Sequence, residues 1–247
     1  MSKIAHAAER RPVPADQIAV LGTWTEPAGS AEHGERTVRV FCWPEVAGAW
    51  ARLAEAVAAA GQRARDQRKG VAATWMAASA PQICGPLQGD AALAEATLAA
   101  LVQRLPVRIT LALADDRPEG SAAVGRQCRA LFSECMAPYA TYLFQTNQVA
   151  RAMALAGPSD DVTRWAEDAA FGSIQTLLDE GKRLKPMRLR HWTETALPLP
   201  LELAQVVAQG VSRHLDVPDR LSPLMDAIRS KAVGRVSWLG PVSKRRK

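Results

Sequence analysis

Apolar and polar positions alternate with a period of two in some stretches of the chain and with a helical period in others, and the switches between them mark the elements. Gln17 to Thr25 (QIAVLGTWT) reads as a first strand. Arg36 to Trp43 (RTVRVFCW) reads as a second, with Val38, Val40 and Cys42 alternating against Arg39 and Phe41. Between them Pro27, Gly29, Ser30 and Gly34 have a turn composition, so a hairpin is expected. From Glu45 to Ala60, the residues Val46, Ala49, Trp50, Leu53, Ala56 and Val57 recur at helical spacing, and Gly61 is expected to end that helix. Gly70 to Ala80 (GVAATWMAASA) fits either a third strand or a buried helix, because a short apolar run has no decisive period; the order of elements favours a strand. Pro81, Gly85, Pro86 and Gly89 predict a loop, and Asp90 predicts the cap of a helix running to Arg104.

Pro106 breaks that helix, and Val107 to Ala114 (VRITLALA) is the clearest strand in the chain, bounded by Asp115 and Asp116. Ser121 to Met153 has a helical pattern with an interruption expected at Pro138. Gly157 and Pro158 stop it, and Ser159, Asp160 and Asp161 start another helix that extends to Gly181. Met187 to Trp192 is strand-like and leads into the longest amphipathic segment, Leu197 to Leu215 (LPLPLELAQVVAQGVSRHL). There Ala204, Val207, Ala208, Val211 and Leu215 form one apolar stripe, with Glu202, Gln205, Gln209, Ser212 and Arg213 on the other side. Asp219 to Lys231 predicts a further helix and Gly234 to Leu239 a short extended segment. No internal repeat is visible, which argues against a solenoid. The expected fold class is α/β, a mixed sheet with an N-terminal hairpin and flanking helices. Residues 1–16 read as a flexible leader, 17–240 as a single α/β domain with a helical insertion around 121–180, and 241–247 as a basic tail.

Composition sharpens this picture. Apolar residues make up 48 % of the 247, yet aromatics supply only 5 % and alanine a large share, which favours packed helices over an all-β sandwich. No apolar run reaches the roughly 18–20 residues needed to cross a bilayer, so no membrane partner is expected. The first residues, MSKIAHAAERRPVP, lack the apolar core of a secretory signal, and a cytoplasmic location is the expectation. Cys42, Cys84, Cys128 and Cys135 form no CxxC pair and read as small buried hydrophobes in a reducing compartment.

The net charge of +6 is unevenly spread. Arg63, Arg65, Arg68 and Lys69 cluster between two predicted elements, and Lys244, Arg245, Arg246 and Lys247 end the chain. Such clusters are the footprint expected of a nucleic-acid phosphate backbone, or simply of a solvated loop and tail. Carboxylates at strand ends, Glu26 and Asp115–Asp116, are the residues that could hold divalent metals for phosphodiester cleavage, although DDRPEG also has plain turn chemistry. The four histidines, at 6, 33, 191 and 214, have no triad or zinc spacing, and no phosphate-binding glycine motif or nucleophile elbow occurs. Of seven tryptophans, Trp24, Trp43 and Trp192 sit near strand ends, where a ring stacks on a base or packs in the core.

The run from Phe171 through Leu215 resembles the C-terminal part of the bacterial family called "domain of unknown function 3800", in which an RNase H-like fold ends in a helix reading roughly L-Q-L-A-D-L-v-A. Leu201, Glu202, Leu203, Ala204, Gln205, Val206, Val207 and Ala208 occupy those places. The resemblance implies an RNase H-like sheet preceded by the hairpin, with Val107 to Ala114 as the strand ending in an aspartate. It also implies lost acids: Gln205 stands for the family's helix aspartate, and Gly22, Thr23, Trp24, Thr25 and Glu26 stand for its acidic D-E-S element. The expected function is therefore a non-catalytic nucleic-acid-associated protein or a subunit of a nucleoprotein assembly, with no catalytic residue, metal site or cofactor. The alternatives are a Mg- or Mn-dependent nuclease with a degenerate site at Glu26 and Asp115, and a subunit whose alanine-rich helices dock on a protein partner.

Overall fold

Strand β1 (Ile18–Pro27) and strand β2 (Glu35–Pro44) pair antiparallel from Val20 against Cys42 to Pro27 against Glu35 in the computed structural model, giving the expected hairpin with slightly longer strands. The structure describes residues 13–27, 35–66, 81–84, 91–115, 118–177, 181–216, 221–235 and 237–239. The expected turn at 28–34, the strand or helix at 70–80, the Asp90 cap, the leader through residue 12 and the tail from 240 lie outside the described residues. Strand β3 (Val107–Asp115) pairs antiparallel with β2, and strands β4 (Met153–Ala156), β5 (Arg188–His191) and β6 (Ser237–Leu239) join in parallel. The six-stranded sheet has the order β5-β4-β1-β2-β3-β6.

Helices α1 (Ala49–Asp66), α2 (Pro81–Cys84) and α3 (Ala91–Arg104) fall between β2 and β3. Helix α4 (Ser121–Gln145) connects β3 to β4, and helix α5 (Asp161–Leu177) connects β4 to β5. Helices α6 (Leu199–Asp216) and α7 (Pro223–Lys231) follow β5. The chain is thus a mixed α/β structure with helices on both faces of the sheet. Val20, Val38, Val40, Cys42 and Leu111 point to the face shared with α1, α3, α6 and α7. Ala19, Leu21, Phe41, Trp43 and Ala112 point to the face shared with α4 and α5. Among the described residues no helix is long and apolar enough to cross a membrane.

Several local expectations are corrected. Helix α1 does not stop at Gly61 but runs to Asp66, because Gln62, Arg63, Ala64 and Arg65 are good helix formers and the arginines fall near the negative end of the dipole. Helix α4 continues through Pro138, where buried Cys135, Met136, Tyr139 and Ala140 hold the backbone despite the lost amide. It ends at Gln145 rather than near Met153, and Met153–Ala156 is a strand; four residues are too few to display their own period.

Helix α6 has no exposed polar face along most of its length. Glu202, Gln209 and Ser212, expected on the solvent side, are 1 %, 3 % and 0 % exposed. The sheet covers one side of this helix and α1, α2 and α7 cover others. The Glu202 carboxylate accepts the backbone N–H groups of Gln82 and Ile83, both at 3.1 Å, and so holds the first turn of α2.

Helix α6 lies against the sheet backbone at Gly22. A Cβ there would lie 2.5 Å from the Ala204 carbonyl carbon and 2.6 Å from the Gln205 nitrogen, both backbone atoms that cannot swing aside. Gly22→Ala is expected to push α6 off the sheet and to destabilise the protein by about 3 kcal/mol, the upper end of the overpacking range, as read from urea unfolding.

Candidate functional site

The acids anticipated as metal ligands lie on one face of the sheet, but a cation of the protein stands between them. Arg36 is the cross-strand partner of Glu26 in β1 and of Asp115 in β3. Its Nε donates to Asp115 Oδ1 at 2.6 Å, and its Nη1 donates to Asp216 Oδ1 at 2.7 Å and to the Ser212 carbonyl at 2.9 Å. Burial works to lower the Arg36 pKa, yet the hydrogen bonds and charges of Asp115 and Asp216 outweigh it and hold the guanidinium above its ordinary value. Glu26 and Asp115 are two strand spacings apart, about 9.6 Å, with Arg36 on the strand between them. Gln205 lies beside Gly22, seven residues or about 10 Å along α6 from Ser212. The three positions do not converge, and among the described residues no group of three metal-binding side chains does.

The other anticipated groups are distributed as follows. Arg63 and Arg65 fall within the last turns of α1 rather than in a loop; Arg68, Lys69, Lys244, Arg245, Arg246 and Lys247 lie outside the described residues. Trp43 is 1 % exposed and packs with Phe41, Tyr139 and Tyr142, with its ring 4.5 Å from that of Tyr139. Trp24 and Trp192 are half-buried, and Trp192 Nε1 donates to the Ala196 carbonyl. Among the described residues Trp165 on α5 is exposed, with the Arg129 guanidinium 5.4 Å from its ring centre. Cys42, Cys128 and Cys135 are buried free thiols, and burial pushes Cys135 up to about 11, as an inert core thiol requires.

Sequence reasoning did not anticipate the constellation on the opposite face. Strands β1 and β4 are parallel neighbours, but the chain leaves β1 toward β2 and leaves β4 toward α5 and β5. Outside their carboxyl ends, the usual place for a ligand in an open α/β sheet, lies a cleft of about 950 Å³. Thr23, Thr25, Thr37 and Arg39 from β1 and β2 line it, together with Glu167 from α5 and the 157–160 turn. Arg39 is 2 % exposed and pairs with the Glu167 carboxylate. The second oxygen of Glu167 lies 3.4 Å from His191 Nδ1, and His191 Nε2 lies 3.1 Å from Asp168 Oδ1. The result is a row of polar groups from the middle of β2 to the end of β5, in which Glu167 Oε2 and His191 Nδ1 approach without forming a hydrogen bond. Arg39 Nε has no hydrogen-bond partner, so the pair keeps an unused donor.

The rim of the cleft carries Glu35, Glu119 and Asp160. Asp160 Oδ1 accepts from the Thr163 backbone N–H at 2.7 Å, which caps α5, and chiefly that bond holds its carboxyl below the ordinary 3.8. One signal of the second face was present in the sequence. Arg39 alternates with Phe41 and Trp43, two large apolar residues with no reason to face water. In comparisons with protein-family models, curated proteins and solved structures, nothing matches the chain.

Two outcomes test these contacts. Arg39→Met or Glu167→Leu alone leaves a buried charge unpaired and is expected to cost about 3–5 kcal/mol, whereas the double variant recovers most of that loss in a urea-unfolding cycle. Asp160→Asn keeps a capping oxygen but removes the titration. The wild type is expected to lose the Asp160 contribution as pH falls below 3.8 through the folded-state value, and the variant's stability should be flatter across that range.

Proposed function

We propose that this chain is an RNase H-like α/β protein that associates with nucleic acid without cleaving it. The order β5-β4-β1-β2-β3, with β2 antiparallel to its neighbours and a helix before each of β4 and β5, supports the RNase H-like reading. The observation that carries the non-cleaving part is Arg36. Its guanidinium stands in register between Glu26 and Asp115 and is hydrogen-bonded to both Asp115 and Asp216. A divalent ion at that place would meet a fixed positive charge already bonded to two of the carboxylates it would need. The excess of six positive charges supplies long-range attraction to a polyanion.

Binding of labelled RNA and DNA, each in single- and double-stranded form, measured across salt concentrations tests the association. The expected result is a linear fall of log affinity with log salt, shallower when residues 244–247 are deleted or when Arg63 and Arg65 are replaced by alanine. Equal binding by the deleted and full-length proteins at every salt concentration removes the tail from the reading. The same substrates incubated with Mg²⁺ or Mn²⁺ are expected to stay intact. Cleavage that disappears in Asp115→Asn establishes the metal-dependent nuclease instead.

A further inference from the structure

We propose that the exposed edge of the sheet, strand β5 with the turn before it, is a phosphate-contact surface of this protein; the inference rests on the nucleic-acid reading and adds a site to it. Residues 181–193 (GKRLKPMRLRHWT) carry Lys182, Arg183, Lys185, Arg188 and Arg190 and no carboxylate. Among the described residues β5 pairs with β4 on one side only and ends the sheet. Arg188 is paired with Met153 and Arg190 with Leu155, so both project to the same face. Leu155 packs into the core on that face, whereas Leu189 between them packs into the other. Both arginines and Lys185 are exposed, and alternate positions on a strand are about 6.6 Å apart.

What sets Lys185, Arg188 and Arg190 apart is that none has a carboxylate partner among the described residues. The arginines of β2 and β3 each pair with an acid, Arg36 with Asp115 and Asp216, Arg39 with Glu167, and Arg108 with Glu45. Among the described residues, no carboxylate pairs with Lys185, Arg188 or Arg190. Arg183 is held by Asn147, whose side-chain oxygen accepts from its Nη2 at 2.9 Å, which anchors the turn beneath the other three. Unpaired guanidinium groups in a row, on a rigid strand, are the arrangement that contacts successive phosphates, and guanidinium matches phosphate oxygens bidentately. Charge on an edge strand also guards against strand-to-strand aggregation, but either sign serves that purpose. The sign is therefore the discriminating variable.

The test uses Arg188→Glu/Arg190→Glu and Arg188→Ala/Arg190→Ala in the full chain, with Arg104→Ala on α3 as a control. Both double variants should fold as the wild type does, since the side chains are exposed, and the glutamate pair keeps the edge charged. For the alanine pair the salt slope on duplex is expected to become shallower by about 1.8, and binding at about 0.15 M salt to weaken about thirtyfold. The control should keep the wild-type slope, and the glutamate pair should bind more weakly still. Wild-type binding that neither double variant changes overturns the edge site and leaves the nucleic-acid reading standing. Absence of nucleic-acid binding by the wild type overturns both. Binding to phosphatidylserine vesicles but to no oligonucleotide assigns the edge to a membrane surface and overturns the proposal.

Discussion

Helices cover the middle of the sheet on both faces, and strand β2 carries two arginines into that interior. Arg36 and Arg39 are three residues apart and therefore point to opposite faces. Each is met by carboxylates of the helix covering its own face: Asp216 of α6 for Arg36, and Glu167 of α5 for Arg39. Taking either charge out of water is costly, so neither helix can shift without uncovering an unpaired ion. The two pairs consequently set where the helices lie on the sheet, with apolar packing filling in around them.

The rest of the arrangement follows from that placement. With the end of α6 tied to Arg36, the middle of the helix descends onto β1 at Gly22, where the missing side chain allows backbone to meet backbone. The start of α6 is then buried deeply enough that Glu202 is used internally, against the amides of α2. Burial raises the pKa of that carboxyl while the three hydrogen bonds from Gln82 and Ile83 oppose the rise. On the other face, the Arg39–Glu167 pair forms the inner wall of the cleft and joins it to His191 at the end of β5. The two faces thus differ: Arg36 joins Asp115 to Asp216 on one, and a cleft with a polar, partly satisfied floor lies on the other.

Cations are also sorted by this architecture. Those on β2 and β3 are matched to acids, because those strands have neighbours on both sides and a helix on each face. Arg188 and Arg190 on β5 have no carboxylate partner among the described residues, because β5 is at the margin of the described sheet and both side chains are exposed. Basic clusters visible as runs in the sequence, at 63–69 and 244–247, are a separate group, and Arg63 and Arg65 belong to a helix rather than to a connecting loop. The edge cations escaped notice because they alternate with Leu189 and follow Leu184 and Met187, so the segment reads as a strand before it reads as a charge cluster.

Local pattern alone determined the hairpin, β3, the starts of α3, α5 and α6 within a residue or two, and the mixed α/β class. Each of those rests on periodicity or on a cap, which neighbouring residues supply by themselves. It did not determine β4, whose four residues are paired by β1 and β5 rather than by their own pattern, nor the passage of α1 through Gly61 and of α4 through Pro138. Which of the acids would meet was likewise decided only in three dimensions. Glu26 and Asp115 looked like a ligand pair by their strand-end positions, yet register put Arg36 between them. Arg39, Glu167 and His191, up to 152 residues apart, meet because strand order and the α5 crossover bring them to one end of the sheet. Contacts between distant residues depend on topology and on what covers each face, and neither is encoded in the composition of any single stretch.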